Sequence, residues 1–130
     1  AELRGRGRTV LVLDAPQPDS ASRVAAGLMN PVAGKRFALA WRAAELLPAA
    51  RAFYRGLEEK YNRQLLFELP ILKLFSSVGE QNTILARSAD RPWLDFVPEP
   101  DAPLPPVPGL RQPFGGLSIR GGGYVLVEQV

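Results

Sequence analysis

Thr9-Val10-Leu11-Val12-Leu13-Asp14 is a compact apolar run, rich in β-branched residues and closed by an acid. A polar lead, a continuous apolar stretch and an acidic end predict a buried strand of the parallel type, which points to the α/β class. An acid in that place accepts hydrogen bonds from an adenosine ribose in a βαβ dinucleotide fold; the same position also serves as a plain turn residue. The glycine-rich loop that should stand roughly 20 residues ahead of such an acid is absent. If the chain is an excerpt, that loop lies upstream of Ala1; if it is complete, the dinucleotide reading largely fails.

The flanks of this run suggest an excerpt. The chain opens on Ala1-Glu2-Leu3-Arg4-Gly5-Arg6-Gly7-Arg8 without an initiator Met. It closes on Tyr124-Val125-Leu126-Val127-Glu128-Gln129-Val130, a strand pattern with neither cap nor turn. The expectation is a piece of a longer protein, truncated at both ends. Its 130 residues, 46% hydrophobic and 22% charged, fit one small domain or part of a larger one and exclude a disordered tail. Sixteen Lys and Arg against thirteen Asp and Glu leave a charge of +3, far short of a nucleic-acid coat. With no Cys and no His, disulfides, thiolate metal sites, Cys nucleophiles and Ser-His-Asp triads are excluded within the chain. No apolar run reaches the roughly 18 residues of a membrane helix, and no signal-peptide core is present. The expected setting is reducing and cytoplasmic, with no membrane partner.

Downstream of Asp14, Ala15-Pro16-Gln17-Pro18-Asp19-Ser20 is turn-rich. Asp19, Ser20 and Ser22 are candidate N-caps for a short helix that Gly27 would stop. Phe37, Trp41, Ala44, Leu47, Phe53 or Tyr54, Leu57 and Tyr61 recur at helical spacing, predicting an amphipathic helix with a long buried stripe. Pro48 predicts a kink there, or a second helix that starts near it. Leu65–Leu69 and Ile71–Phe75 read as strands parted by Pro70, at an edge or a bend. Ser77 and Glu80 stand at capping-box spacing, predicting a helix to about Ser88. Six prolines between Pro98 and Pro108 demand an extended loop. Gly115–Arg120 and the terminal run flank Gly121-Gly122-Gly123, which predicts a β-hairpin with a glycine turn.

The segment Ser20-Ala21-Ser22-Arg23-Val24-Ala25-Ala26-Gly27-Leu28-Met29-Asn30-Pro31 is dense in small residues that let another surface approach the backbone closely. The bland reading is a tightly packed helix end. Together with Leu11-Val12-Leu13-Asp14, however, this stretch resembles the second strand and flavin-contacting loop of the D-amino-acid oxidase and glycine oxidase family of FAD-dependent oxidoreductases. The likeness continues more weakly through the Phe37–Tyr61 helix, Leu69–Phe75 and Gly115–Tyr124, so it covers most of the chain. Its sharp motifs lie in the first thirty residues.

The resemblance implies an α/β (α+β) fold in which a partial FAD-binding Rossmann-like layer, residues 1–36, interleaves with part of an antiparallel substrate-domain sheet. Residues 37–130 would carry the helical segment and the start of the substrate layer, with the proline-rich loop at 98–108. It implies FAD as cofactor and a small-molecule amine or amino acid as substrate. Asp14 would hold the adenosine ribose; Ser20, Ala21 and Ser22 would line the diphosphate and ribityl chain; Gly27, Leu28 and Met29 would lie against the isoalloxazine. Ala15 stands where some members carry a basic residue, so the adenine-side contact is not carried over. No catalytic residue and no metal ligand is assigned. Flavin supplies the hydride chemistry, so the lack of His and Cys is compatible with this reading.

Two other classes compete. A non-catalytic interaction module would use the proline loop or exposed sheet edges; Pro103-Leu104-Pro105-Pro106 suits a polyproline helix, but its flanks lack the usual basic residue. The oxidase half of a tRNA-modifying enzyme of the same flavin superfamily would draw on the basic charge. Arg4, Arg6 and Arg8 alternate with glycine as in RNA-binding tracts, yet lack aromatic neighbours and read better as a solvated helix end. Nucleic acid is therefore not an expected partner. Trp41, Trp93, Tyr54 and Tyr61 read as core or interface, and Lys73 as the solvated face of a strand. The unfinished sheets call for a partner, for which a second copy of the chain, a homo-oligomer, is one candidate.

Overall fold

The computed structural model describes residues 2–13, 21, 25–34 and 36–127. In chain order the elements are helix α1 (Glu2–Gly5), strands β1 (Leu28–Met29), β2 (Val32–Ala33) and β3 (Ala38–Leu39), helix α2 (Ala43–Tyr61), strands β4 (Leu66–Glu68) and β5 (Ile71–Leu74), helices α3 (Val78–Leu85) and α4 (Arg91–Leu94), and strands β6 (Gly116–Ile119) and β7 (Gly123–Val125). A 3-10 turn at Ala86–Ala89 links α3 to α4. The fold is mixed α and β, and every strand pair among the described residues is antiparallel.

Two distant segments run antiparallel as one ribbon that is broken into two separate sheets. β4 pairs with β7 from Leu66↔Val125 to Glu68↔Gly123, and β5 pairs with β6 from Ile71↔Ile119 to Leu74↔Gly116. Three steps separate Glu68 from Ile71, whereas four separate Ile119 from Gly123. The extra residue makes a β-bulge at 120–122, with Gly121 in the left-handed region at φ 73. Pro70, between β4 and β5, marks the bend on the other side. The predicted hairpin about Gly121-Gly122-Gly123 is thus corrected. The glycines bend one strand onward where a turn would have reversed it, because both halves find their partner in 66–74.

β1 adds to the outer side of β7, giving the sheet order β1-β7-β4. β2 and β3 form a small hairpin, Val32↔Leu39 and Ala33↔Ala38, whose turn ends in Phe37 at φ 49. The helix expected from Phe37 therefore starts later, at Ala43. The three- and four-residue spacing ran by coincidence across a hairpin, and Trp41 is exposed. Helix α2 continues through Pro48 as one element, and Asn62, left-handed at φ 49, caps its end by donating its N–H to the Glu58 carbonyl. Its apolar stripe is mostly half-buried, and only Ala43 is fully covered.

The core lies against one face of β5–β6. Leu117 and Ile119 point into a cluster with Val32, Phe37, Phe75, Ile84, Trp93 and Val97. Leu65, Leu66 and Val125 are buried apart from it, at the β4–β7 pair beside α2. Helix α3 begins as its sequence predicts: Glu80 N–H donates to Ser77 Oγ at 3.1 Å, and Glu80 Oε2 accepts from Ser76 N–H at 2.6 Å.

Residues 9–13, expected as a buried strand, belong to no strand, and Leu11, Val12 and Leu13 are 81%, 76% and 88% exposed. A parallel strand needs neighbours on both edges and cover on both faces, and no described residue supplies them. A Rossmann-like layer is accordingly not formed by the described residues.

Candidate functional site

At Gly27 the chain crosses the end of β7. The Gly27 φ of 62 suits glycine, and the Gly27 carbonyl accepts from Val125 N–H at 2.9 Å. An added Cβ would overlap the Val125 carbonyl oxygen and come within 2.9 Å of Val127 Cγ2. Only glycine permits this crossing. Beyond it, Leu28 pairs with Tyr124 and Met29 with Gly123.

Tyr124 in turn faces Phe67 on β4, so Leu28, Tyr124 and Phe67 stand in one row on one face of the sheet. The Phe67 and Tyr124 rings stack at 4.8 Å and 4°. Leu28, at the end of this aromatic shelf, is 58% exposed. Of the residues singled out in the sequence, Gly27, Leu28 and Met29 are thus brought together with β7, and Ala21 is helical and exposed. Asp14, Ser20 and Ser22 lie outside the described residues. An accessible apolar side chain therefore stands beside a close backbone crossing.

A second feature lies on the α2 side of the ribbon. A cleft of ≈ 410 Å³ is lined by Arg51, Glu68, Leu69, Pro70, Ser118, Arg120, Gly121 and Gly122. Arg51 Nη2 donates to the Gly121 carbonyl at 2.7 Å, which ties α2 to the bulge. Its Nε lies 2.6 Å from Glu68 Oε1 as an ion pair whose oxygen stands off the N–H direction. Arg55 bridges Glu58 and Glu68 at 2.8 and 3.0 Å, and these carboxylates hold its guanidinium above its ordinary pKa, Glu68 most strongly. Glu58 Oε1 accepts from Leu66 and Leu65 N–H at 2.8 and 2.7 Å; those two bonds lower its pKa, with Arg55 adding to the effect. The network thus fixes the start of β4 to α2.

Sequence reasoning missed this cluster. Arg51, Arg55 and Glu58 stand at three- and four-residue spacing on one helix, a signal for a shared face. The partner Glu68 sits on a strand, and the glycine bulge that meets Arg51 is remote in sequence.

Among the described residues no group of three or more His, Cys, Asp or Glu side chains could hold a metal ion. No described helix is long and apolar enough to cross a membrane. No protein-family model and no solved structure matches the chain.

Proposed function

We propose that the chain is part of an FAD-dependent oxidoreductase that oxidises a C–N bond of an amine or amino acid. The observation that carries the reading is the Gly27 crossing. The loop that resembles a flavin-contacting segment is joined by backbone pairing to β7, the end of the ribbon that would begin the substrate layer. In this reading Asp14 holds the ribose, Ser20, Ala21 and Ser22 line the diphosphate and ribityl chain, and Gly27, Leu28 and Met29 border the isoalloxazine. Bound flavin would accept the hydride, while this chain's residues orient the ring and shield it from water.

On this reading a Rossmann-like layer around Leu11–Leu13 would need flanking strands that the described residues do not supply.

The interaction-module reading is less well supported. The proline-rich loop is tied to the body: Gln112 Nε2 donates to the Pro105 carbonyl at 3.3 Å, and Leu104 Cδ1 would lie 2.6 Å from a Cβ added to Gly116. Leu104 is thus held against Gly116, while residues 105–111 are exposed.

The test is the absorbance spectrum of the purified full-length gene product, scanned for a bound flavin band. A band that survives gel filtration is the expected result. A colourless protein after incubation with FAD would overturn the proposal.

A further inference from the structure

Helix α2 carries a glycine that neither its own conformation nor its packing explains. Gly56 lies well inside Ala43–Tyr61 and outside the left-handed region, and a Cβ built on it would meet nothing within 4 Å. A glycine in a helix interior is destabilising relative to alanine. What Gly56 does here is open space. It sits in a groove of ≈ 600 Å³ lined by Arg4 of α1 and by Phe53, Leu57, Lys60 and Tyr61 of α2.

The groove is cationic and aromatic at once. Arg4 and Lys60 are exposed, and neither has a carboxylate partner among the described residues. The acids next to Lys60 along α2, Glu58 and Glu59, do not line the groove, and Glu58 is taken up by Arg55 and by two backbone N–H groups. Lys60 Nζ lies 5.1 Å from the centroid of the Tyr61 ring, a contact that draws the ammonium to the ring without neutralising it. Phe53 is braced edge-to-face by Tyr54 at 5.4 Å. In the sequence Arg4 has no aromatic neighbour; the fold supplies Phe53 and Tyr61.

We propose that this groove binds a small phosphate monoester that carries a flat ring. Two uncompensated cations match the phosphoryl group, which bears about two negative charges at neutral pH, and Arg and Lys both bind its oxygens. The apolar walls of Phe53 and Leu57 and the notch at Gly56 receive the ring. A carboxylate would leave one cation unmatched, and an uncharged ring would leave both. The volume is that of a small-molecule site. This assignment is independent of the flavin reading, which uses none of these residues.

The test is calorimetric titration of the full-length gene product with phenyl phosphate, with inorganic phosphate and phenol as controls at constant ionic strength. Phenyl phosphate is expected to bind about tenfold or more tightly than either control, since only it engages both the cations and the apolar walls. Arg4→Gln and Lys60→Gln, at exposed positions, should each weaken it about fivefold or more. Gly56→Leu fills the notch with a better helix former, so it should abolish binding while the thermal midpoint holds or rises. If that variant lowers the midpoint, the two charge variants decide. Absence of phenyl phosphate binding would overturn the proposal, as would equal affinity for phenyl phosphate and inorganic phosphate, affinity unmoved in both charge variants, or full binding by a stably folded Gly56→Leu.

Discussion

Trp93 Nε1 donates a hydrogen bond of 3.0 Å to the carbonyl oxygen of Phe37, deep in the core and far apart in sequence. Phe37 occupies a left-handed backbone position at φ 49, which is unfavourable for a bulky side chain. The indole satisfies the carbonyl that this turn directs inward, while the Phe37 ring packs in the same cluster and takes the Lys73 ammonium 5.1 Å from its centroid. The β2–β3 hairpin is thereby anchored to α4.

Trp93→Phe should keep much of the packing but leave the Phe37 carbonyl without its partner, costing about 1–3 kcal/mol. Trp93→Ala should add a cavity and cost about 3–5 kcal/mol. Urea unfolding followed by circular dichroism checks both. Equal midpoints for Trp93→Phe and the parent would show that the hydrogen bond contributes nothing.

Where the chain crosses β7, Gly27→Ala is expected to be severe. The left-handed conformation alone costs a non-glycine residue about 1–2 kcal/mol, and the overlap with the Val125 carbonyl forces β1 away from β7. Hydrogen exchange should show faster exchange at Val125 N–H, with α3 unchanged. If the proposed flavin reading holds, the same substitution should also deplete the flavin band of the full-length gene product. Unaltered exchange at Val125 would mean that the crossing is not as close as the structure has it.

The capping box gives a pH dependence with a definite sign. Glu80 is lowered from 4.5 to about 2, first by the Ser76 backbone N–H it accepts and then by Lys73 at 2.9 Å. The folded state therefore favours the carboxylate. Its contribution is fully present above the unfolded value of 4.5 and is lost as pH falls from there toward 2. Glu80→Gln should flatten the stability curve within that window and leave its shape above pH 6 unchanged. Ser77→Ala should cost about 1 kcal/mol at neutral pH. Denaturant midpoints measured from pH 2 to 7 decide both.

Local signals were legible in the sequence. Ser77 and Glu80 are three residues apart, and their box needs no tertiary partner to be recognised. The prolines of 98–108 exclude regular structure by covalent geometry alone, and Pro70 announced the break between β4 and β5. The misreadings were cases where a remote partner decides the outcome. Gly121 looks like a turn until 66–74 is known to pair with both halves of 116–125. Phe37 and Trp41 fit a helical period that the β2–β3 ladder overrides. The Arg51–Glu68–Gly121 junction combines a helix, a strand and a bulge, and no single window of sequence contains all three.

Pro48 offers the most direct test of how far α2 is held by its surroundings. It is the sixth residue of the helix and is exposed, so replacing it removes no buried surface. A proline there cannot donate to the Ala44 carbonyl, and its ring crowds that carbonyl. Arg51 and Arg55, one turn and two turns further on, nevertheless remain in register with Gly121 and Glu68. Pro48→Ala should therefore restore a helical hydrogen bond and stabilise the chain by about 1–3 kcal/mol, less the entropy that alanine returns to the unfolded state. Thermal unfolding should show a raised midpoint, with the Arg51 contact unchanged in the nuclear magnetic resonance spectrum. A lowered midpoint would show that the proline's distortion is what brings Arg51 to the bulge, in which case the cleft depends on Pro48 for its shape.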